Sequence, residues 1–389
     1  MAAAVASGDS PDLFFGDEDT FQLWNQKSLQ PVDDVVTWAV GQFGDAAPGH
    51  KLDRYAKLAL AADGTGHVLL ASVGTDKLST IVELVRFDRA GKTTGRHTIA
   101  TFTSDEFWLL RTQLLALPSG ELLVVTPDRN LAGVPGRGGL LRLTADGKVL
   151  HRAPLHPPHD SPDRHNNTDY NFDIARMAAT SDGNVVVGGS YGLGPNSWWW
   201  AKFTPNGVRL GEQSAQSFFL STVDALSPTS DGGFLMVFRD FRDNTSDVIL
   251  QRHSAAGARL SRTLLLEKSE AHQAAFTSDG RIVVVKYGEP GRMLFFGADG
   301  KVLKEMPWTT PEYWEVAQLV SDGTGVVLRE ETERGGFASQ LARLDRDGAV
   351  VWKTQKSTYL DAVSGGDEIV ALILGDEGQT ATIVRLANP

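Results

Sequence analysis

A short turn built around Asp-Gly recurs along this chain and limits what it can fold into. "TSDG" begins at Thr180, Thr229 and Thr277, and "VSDG" begins at Val320. Each copy precedes a short apolar run rich in β-branched or large residues, such as "NVVVGG" after the first. Asp-Gly between two apolar runs is a strong signal for a β-hairpin. We therefore expect type I′ turns, which have positive φ at both central residues.

Further copies extend this pattern over most of the chain. Ala62-Asp63-Gly64 and Pro118-Ser119-Gly120 are two more turns, and Gly365-Gly366 is a degenerate seventh. A second apolar run with its own turn follows each one. These runs are "LVRFDRAG" (84–91), "LLRLTADG" (140–147), "WAKFTPNG" (200–207), "LQRHSAAG" (250–257), "LFFGADG" (294–300), "LARLDRDG" (341–348) and "IVRLANP" (383–389). Each unit is thus strand, tight turn, strand, longer loop, strand, tight turn, strand, which is typical of a propeller blade.

A basic residue precedes the last residue of the third strand in six of the seven units. These residues are Arg86, Arg142, Lys202, Arg252, Arg343 and Arg385. We interpret them as structural, with long stems over apolar surface and charges near the carboxylates of the turns. The alternative is a ring of anion contacts.

The repeats predict an all-β fold, a seven-bladed β-propeller of four-stranded blades in one domain spanning 1–389. The repeats cover about 54–389, and residues 1–50 form an N-terminal segment. Counts of six or eight blades stay open. The seventh unit has only three strands, so we expect "TFQLW" (20–24) or "DVVTWAV" (34–40) to supply the fourth and close the ring.

These units resemble those of bacterial β-propeller repeat proteins, with a consensus of "DG", apolar strand, "aRl" and "dG". That resemblance implies the propeller fold but no single function, because propellers host many unrelated activities. The sixth unit, "LARLDRDGAVVW", also resembles the quinoprotein repeat. There Trp352 matches the family tryptophan, whereas Asp347 stands in place of the family threonine. This departure argues against a pyrroloquinoline quinone site.

Composition excludes several function classes. The 48 acidic residues outnumber the 37 basic ones, which gives a net charge of −11. This charge disfavours nucleic-acid binding and adsorption to anionic lipid, and no apolar run is long enough to span a bilayer. The chain has no cysteine, which excludes disulfides, thiolate metal sites and cysteine nucleophiles.

The N-terminus suggests a compartment. "MAAAVASGDSPD" lacks the hydrophobic core of a signal peptide, but Ala4-Val5-Ala6 before Ser7 resembles the end of a cleavage site. We therefore expect a mature periplasmic or extracellular protein with an added methionine. The alternative is a flexible, alanine-rich terminus.

In such a blade the tight turns lie at one face and the longer connections at the other, so we expect binding at the loop-rich face. The richest loop is "HRAPLHPPHDSPDRHNNTDYNFD", residues 151–173. Together with Trp199, a tryptophan on a third strand that is either exposed or packed within the strands, it supplies the residues predicted to contact a protein partner. They are His156, His159, Asp160, Asp163, His165, Tyr170, Phe172 and Trp199.

The same loop raises the question of a metal. Imidazole and carboxylate together suit zinc, and "DYNFD" is similar to the first half of a calcium loop. However, Ile174 replaces the glycine of such a loop, and Thr180 replaces its last glutamate. We predict no metal and no cofactor, with calcium or zinc as the alternatives.

The starts of the innermost strands should surround the mouth of the central channel. Residues near those positions are Arg54, Arg111, Arg176, Asp224, His272, Glu315 and Asp361. One interpretation is a water-filled polar opening. The other is a small-molecule pocket in which Glu315 or Asp224 acts as general base and an arginine holds an anion.

Three functions follow from these observations. The first is a monomeric, non-enzymatic binding module for a protein partner, such as a scaffold, an inhibitor or an immunity protein. The second is a hydrolase or lyase at the channel mouth. The third is carbohydrate binding through exposed tryptophans. No nucleophile elbow, phosphate loop or HExxH motif is present, so we assign no catalytic residue.

Overall fold

The computed structural model describes most of the chain from Val36 onward. It describes residues 36–43, 46, 49–53, 55–75, 79–103, 111–127, 131, 133, 138–155, 171–192, 197–214, 219–242, 245–269, 271–277, 279–286, 291–307, 316–321, 326–331, 339–345, 347–354, 357–364, 368–375 and 380–387. Every named element within these residues is a β-strand. No helix in this part of the chain is long and apolar enough to cross a membrane.

The chain divides into two compact units, Met1–Phe107 with Thr310–Pro389 (unit 1) and Trp108–Thr309 (unit 2). Each unit is built from antiparallel four-stranded sheets, which we call blades and number along the chain. Together they give the seven blades that the repeats predict. The prediction of a single domain stays a prediction.

Unit 2 holds the second to fifth blades, and their strands pair in chain order. The second blade consists of β7 Gln113–Ala116, β8 Leu122–Thr126, β9 Gly139–Leu143 and β10 Val149–Pro154, and the third of β11 Asn171–Ala179, β12 Val185–Gly192, β13 Ser197–Phe203 and β14 Arg209–Ser214. The fourth blade consists of β15 Phe219–Pro228, β16 Phe234–Arg242, β17 Thr245–His253 and β18 Arg259–Ser269, and the fifth of β19 Ala271–Phe276, β20 Ile282–Lys286, β21 Arg292–Phe296 and β22 Val302–Pro307.

Unit 1 holds the first, sixth and seventh blades. The first blade consists of β2 His50–Leu52, β3 Lys57–Leu60, β4 Gly66–Gly74, β5 Thr80–Phe87 and β6 Thr93–Phe102. The sixth consists of β23 Val316–Ser321, β24 Val326–Glu331, β25 Ser339–Leu344 and β26 Val350–Lys353, and the seventh of β27 Tyr359–Ser364, β28 Glu368–Gly375, β29 Thr380–Ala387 and β1 Val36–Phe43. In the first blade, β2 and β3 both pair with β4, as two pieces of one strand.

The fourth strand of the seventh blade comes from the N-terminal segment. β1 pairs antiparallel with β29, from Val36 opposite Ala387 to Phe43 opposite Ala381. This strand contains most of "DVVTWAV", one of the two segments predicted to complete the blade. The other, "TFQLW", lies outside the described residues.

The tight turns differ from the predicted type. The Gly183 amide donates to the Thr180 carbonyl at 3.0 Å, and the Thr180 amide donates to the Asn184 carbonyl at 2.8 Å. Gly183 has a φ of 79°, but Lys268 is the only non-glycine residue with positive φ in the described ranges. The turn is therefore type I followed by a left-handed glycine, and the type I′ prediction is wrong. Asp182 accepts from the Thr180 hydroxyl and the Asn184 amide, which holds its backbone in the type I conformation.

The basic column of the third strands bonds to the tight turns, as predicted. Arg142 donates to both oxygens of Glu121 at 2.8 Å. Lys202 lies 2.6 Å from Asp182, and Arg252 lies 3.0 Å from Asp231. Each acidic residue belongs to the first tight turn of the same blade or follows it directly.

Several of these turns and cations also reach the next blade. The Lys202 ammonium donates to the carbonyls of Gly232 at 2.9 Å and Ala255 at 2.8 Å, both in turns of the fourth blade. In unit 1, Arg385 of the seventh blade donates to the Gly64 carbonyl of the first at 3.0 Å. The Ser181 hydroxyl donates to the Thr229 carbonyl at 2.9 Å. The repeated turn therefore joins neighbouring blades as well as neighbouring strands.

Apolar side chains fill the spaces between blades. The three consecutive tryptophans of β13 alternate, as strand geometry predicts. Trp198 and Trp200 pack toward the fourth blade, where Trp198 lies 4.4 Å from Phe238 between ring centroids. Trp199 packs on the other side with residues of the second and third blades, including Leu123.

His253 lies in this core, and nothing in the repeat pattern marks it as buried. His253 is fully buried, and its ring stacks on Phe234 at 4.6 Å between centroids. Its Nδ1 lies 3.2 Å from the Gly257 carbonyl oxygen, and its Nε2 lies 3.0 Å from the side-chain oxygen of Gln251. Burial lowers the pKa of His253 to about 4, and the nearby charge of Arg259 acts in the same direction.

Stability should fall as the pH drops from about 6.5 to about 4, because unfolded His253 then binds a proton that the folded state does not. The loss should be on the order of 3 kcal/mol, at 1.36 kcal/mol for each pKa unit. Urea unfolding of wild type and of His253→Phe between pH 4 and 7 would measure it. The variant keeps an aromatic ring but cannot titrate, so parallel pH dependences of the two proteins would contradict this assignment.

Candidate functional site

The first strands of the third, fourth and fifth blades share a local irregularity. Pairing between the first and second strands skips one residue at Ala175 in β11, at Asp224 in β15 and at His272 in β19. Such β-bulges leave the extra residue outside the hydrogen-bond ladder and re-aim side chains, and they are frequent near functional sites. Three of the residues predicted to lie at the channel mouth, Arg176, Asp224 and His272, are in or next to a bulge.

Arg176 connects three of these strands. Its guanidinium donates to the carbonyl of Asp224 at 2.6 Å and to that of Ala175 at 2.8 Å, so both bulged residues gain a partner. It also donates to the side-chain oxygen of Gln273 at 3.0 Å. Arg176 therefore holds together the first strands of the third, fourth and fifth blades. Gln113 makes a weaker bond of the same kind from the second blade, at 3.3 Å to the Ile174 carbonyl.

Asp224 is the most perturbed carboxyl of this network. It is only 5% exposed, and one of its oxygens lies 2.9 Å from Nε of Arg239 on β16. Burial raises the pKa of Asp224, although the positive charges of Arg239 and Arg176 act in the opposite direction. A carboxyl with a raised pKa between two guanidiniums has the chemistry of a general acid or base. Arg239 and Gln273 escaped sequence analysis because nothing in the repeat pattern marks them.

The network lies along the strands rather than at their starts. Arg176 and Asp224 are each the sixth residue of their strand, whereas His272 is the second residue of β19. The structure thus brings Arg176 and Asp224 together near the middle of their strands.

Two other predicted mouth residues that the structure describes, Arg111 and Asp361, make different contacts. Nε of Arg111 lies 3.7 Å from a carboxylate oxygen of Asp173, and the Arg111 side chain is 43% exposed. In unit 1, Asp361 accepts from the backbone amides of Leu58 at 2.8 Å and Ala362 at 3.0 Å, which joins the seventh blade to the first. Arg54 and Glu315 lie outside the described residues.

The residues predicted to contact a partner fall mostly outside the described part. They are His156, His159, Asp160, Asp163, His165 and Tyr170. Phe172 lies on β11, opposite Tyr191. Trp199 is completely buried, so its prediction as a surface contact is wrong, because both faces of β13 pack against neighbouring blades.

The loop itself is shorter than the sequence indicated. Residues 149–154 belong to β10, and residues 171–179 belong to β11. Leu155 is buried, and its amide donates to the Gly138 carbonyl at 2.9 Å. The link between the second and third blades therefore begins after Leu155 and ends before Asn171. The described residues contain no group of three metal-ligating side chains, and the whole of this link is outside them.

Comparison with known proteins supports the fold. No family model and no curated protein matches the sequence. Among solved structures, the β-propeller domain of the Trilobed protease from Pyrococcus furiosus aligns with a TM-score of 0.54 at 10% identity, over 87% of this chain and 94% of that one. The acylaminoacyl peptidase of Pyrococcus horikoshii aligns with a TM-score of 0.55 at 11% identity, over 87% of this chain and 51% of that one.

A puromycin hydrolase mutant complexed with PGG aligns with a TM-score of 0.53 at 15% identity, over 82% of this chain. The chain spans about half the length of this hydrolase and of the acylaminoacyl peptidase, at 50% and 51%. At such identities the likeness shows a β-propeller fold, and no activity follows from it.

Proposed function

We propose that this chain is a non-enzymatic binding module that recognises a protein partner through the blade ends opposite its tight turns. The observation that best supports this is the difference between the two ends of the described blades. At one end, turns of five residues between consecutive strands bond to each other and to Lys202, Arg142 and Arg385. At the other end, the second and third blades are joined by a long link, residues 156–170, although four residues join the third blade to the fourth and a single residue joins the fourth to the fifth. Recognition residues concentrate on long links over a rigid scaffold, so the proposal rests on the link between the second and third blades.

The internal bonds of the first strands support the same proposal. Arg176 donates to the carbonyls of two bulged residues and to the side-chain oxygen of Gln273. Asp361 accepts from two backbone amides. These bonds hold blades together, which is what a rigid scaffold requires. Partner contact in this proposal falls to the link after Leu155, with His156, His159, Asp160, Asp163, His165, Tyr170 and Phe172. The small-residue run before Ser7 supports a site of action in the periplasm or outside the cell.

Replacing residues 157–168 with a Gly-Ser segment of equal length tests this proposal. These limits keep Leu155 and β11, whereas a replacement from residue 152 would remove the buried Ala153 and Leu155. The partner would be isolated by co-purification from the source cells, and its affinity measured by calorimetry. Affinity should fall at least about tenfold, or about 1.4 kcal/mol. Stability should change little, because surface loops tolerate such changes.

Lys301→Ala is the matched control, since this side chain is 83% exposed on a tight turn. It should leave the affinity unchanged. If the loop variant binds as tightly as wild type, the contact lies on other links, and if Lys301→Ala alone weakens binding, the tight turns form the functional face.

The raised pKa of Asp224 favours one alternative, a hydrolase or lyase acting at the central channel. Asp224 would be its general acid or base, with Arg176 and Arg239 beside it. Asp224→Asn would then abolish turnover of a substrate found by screening, while partner affinity stayed unchanged. Under the binding-module proposal no turnover exists to lose.

A further inference from the structure

The exposed apolar side chains of this molecule are concentrated on one kind of strand. Within the described ranges, every strongly exposed large hydrophobic residue lies on the fourth strand of a blade or directly before it. In unit 2 these are mainly leucines, between 46% and 59% exposed: Leu150, Leu210, Leu260, Leu264 and Leu303. Isolated exposed leucines are ordinary, but a repeated placement points to a surface with a role.

The placement follows the repeat. Leu150, Leu210, Leu260 and Leu303 each stand three residues after the glycine of the second tight turn, in four consecutive blades. In the first blade that position is Thr94, which is polar and exposed. The leucine is thus not required at this position for a blade to form.

These strands form one continuous surface within unit 2. A Cβ built on Gly207 would lie 2.2 Å from Cβ of Ala153, so β10 touches the second turn of the third blade. In the same way, Gly211 of β14 approaches the Ala256 carbonyl, and Gly300 of the fifth blade approaches Thr263 of β18. We call the surface of β10, β14, β18 and β22 the outer band.

The outer band is basic, although the chain is acidic. Its strands carry six basic residues, Arg152, Arg209, Arg259, Arg262, Lys268 and Lys304, against three glutamates, whereas the whole chain has a net charge of −11. On β18, Arg259 and Arg262 stand among Leu260 and Leu264; Arg259 is exposed, and the Arg262 side chain is 43% exposed although it lies 3.7 Å from Asp240. A surface of this kind is complementary to a segment that combines aliphatic and acidic side chains.

We propose that the outer band is a second docking surface, which binds an aliphatic and acidic segment of a protein. This proposal does not depend on the role of the linking loops. Docking is through side chains rather than by adding a strand to β18. Pairing of β18 with β17 shifts register at Leu260 and Leu265, and such bulges interrupt a sheet edge.

The absence of cysteine from the sequence allows a site-specific test. Leu260→Cys would carry an environment-sensitive fluorophore, and Thr94→Cys, at the same repeat position of the first blade, would be the matched control. The probe is a synthetic 12-residue peptide of leucine, glutamate and serine. We expect a saturable response at position 260 and none at position 94. In the same background, the double substitution Arg259→Glu and Arg262→Glu should weaken binding at least tenfold.

Three results would overturn the proposal. They are no response to the peptide at position 260, an equal response at position 94, and equal binding of a peptide in which lysine replaces glutamate. A response only to phosphatidylglycerol vesicles would assign the band to membranes instead. The 157–168 replacement should leave peptide affinity unchanged, so this proposal and the one on the linking loops fail independently.

Discussion

Removal of residues 1–45 should destabilise the protein more than any point substitution. The deletion takes away β1, which pairs with β29 from Val36 to Phe43. A backbone hydrogen bond contributes a net free energy on the order of 1 kcal/mol, so the loss of this ladder should cost at least about 4 kcal/mol. The melting temperature should fall by roughly 5 °C or more. The exposed edge of β29 should also promote aggregation, which light scattering would detect.

A shorter truncation separates the strand from the rest of the segment. Deleting residues 1–33 stops before β1 and should leave the melting temperature close to that of the full chain. If both truncations melt like the full chain, then β1 does not stabilise the seventh blade in solution.

The tight turns show how far the sequence predicts this fold. The sequence correctly predicts the strands and their order in each blade from the "TSDG" copies and the apolar runs. It also predicts the bonds of Arg142, Lys202 and Arg252, from the basic residue near the end of each third strand. These features are local or repeat at a fixed place, so one chain displays them several times. The sequence predicts the wrong turn type because aspartate tolerates the positive φ of a type I′ turn. In the structure, the Asp182 side chain bonds to Thr180 and Asn184 and holds the backbone in the type I conformation instead.

The candidate site is less visible in the sequence because its residues come from separate blades. Arg176 and Gln273 lie 97 positions apart, and Arg176 and Asp224 lie 48 apart. Their contact depends on bulges at Ala175, Asp224 and His272, which insert one residue without changing the apolar pattern.

The burial of Trp199 is also hard to predict from the sequence, because its counterparts in other blades are mostly not apolar. In this blade the space beside it is filled by Leu123 and other apolar residues.

Lys202→Ala should be the most damaging single substitution in the basic column. The Lys202 side chain is 1% exposed, and its three donors bond to Asp182 at 2.6 Å, Gly232 at 2.9 Å and Ala255 at 2.8 Å. Burial alone would raise the pKa of Asp182, but the bonds from Lys202, Thr180 and Asn184 lower it to about 2. Breaking a buried pair by removing one partner typically costs about 3–5 kcal/mol. We expect a loss in that range from urea unfolding at pH 7.

Arg252→Ala provides the matched control, because Arg252 occupies the same repeat position in the next blade. Its side chain is 48% exposed, and the side chain of its partner Asp231 is 49% exposed. Exposed ion pairs contribute at most about 1 kcal/mol, so this variant should unfold almost like wild type. The difference between the two variants measures what burial and the two carbonyl bonds to the fourth blade add to a simple ion pair. Equal losses would mean that the position in the repeat, and not the bond between blades, determines the stability of this column.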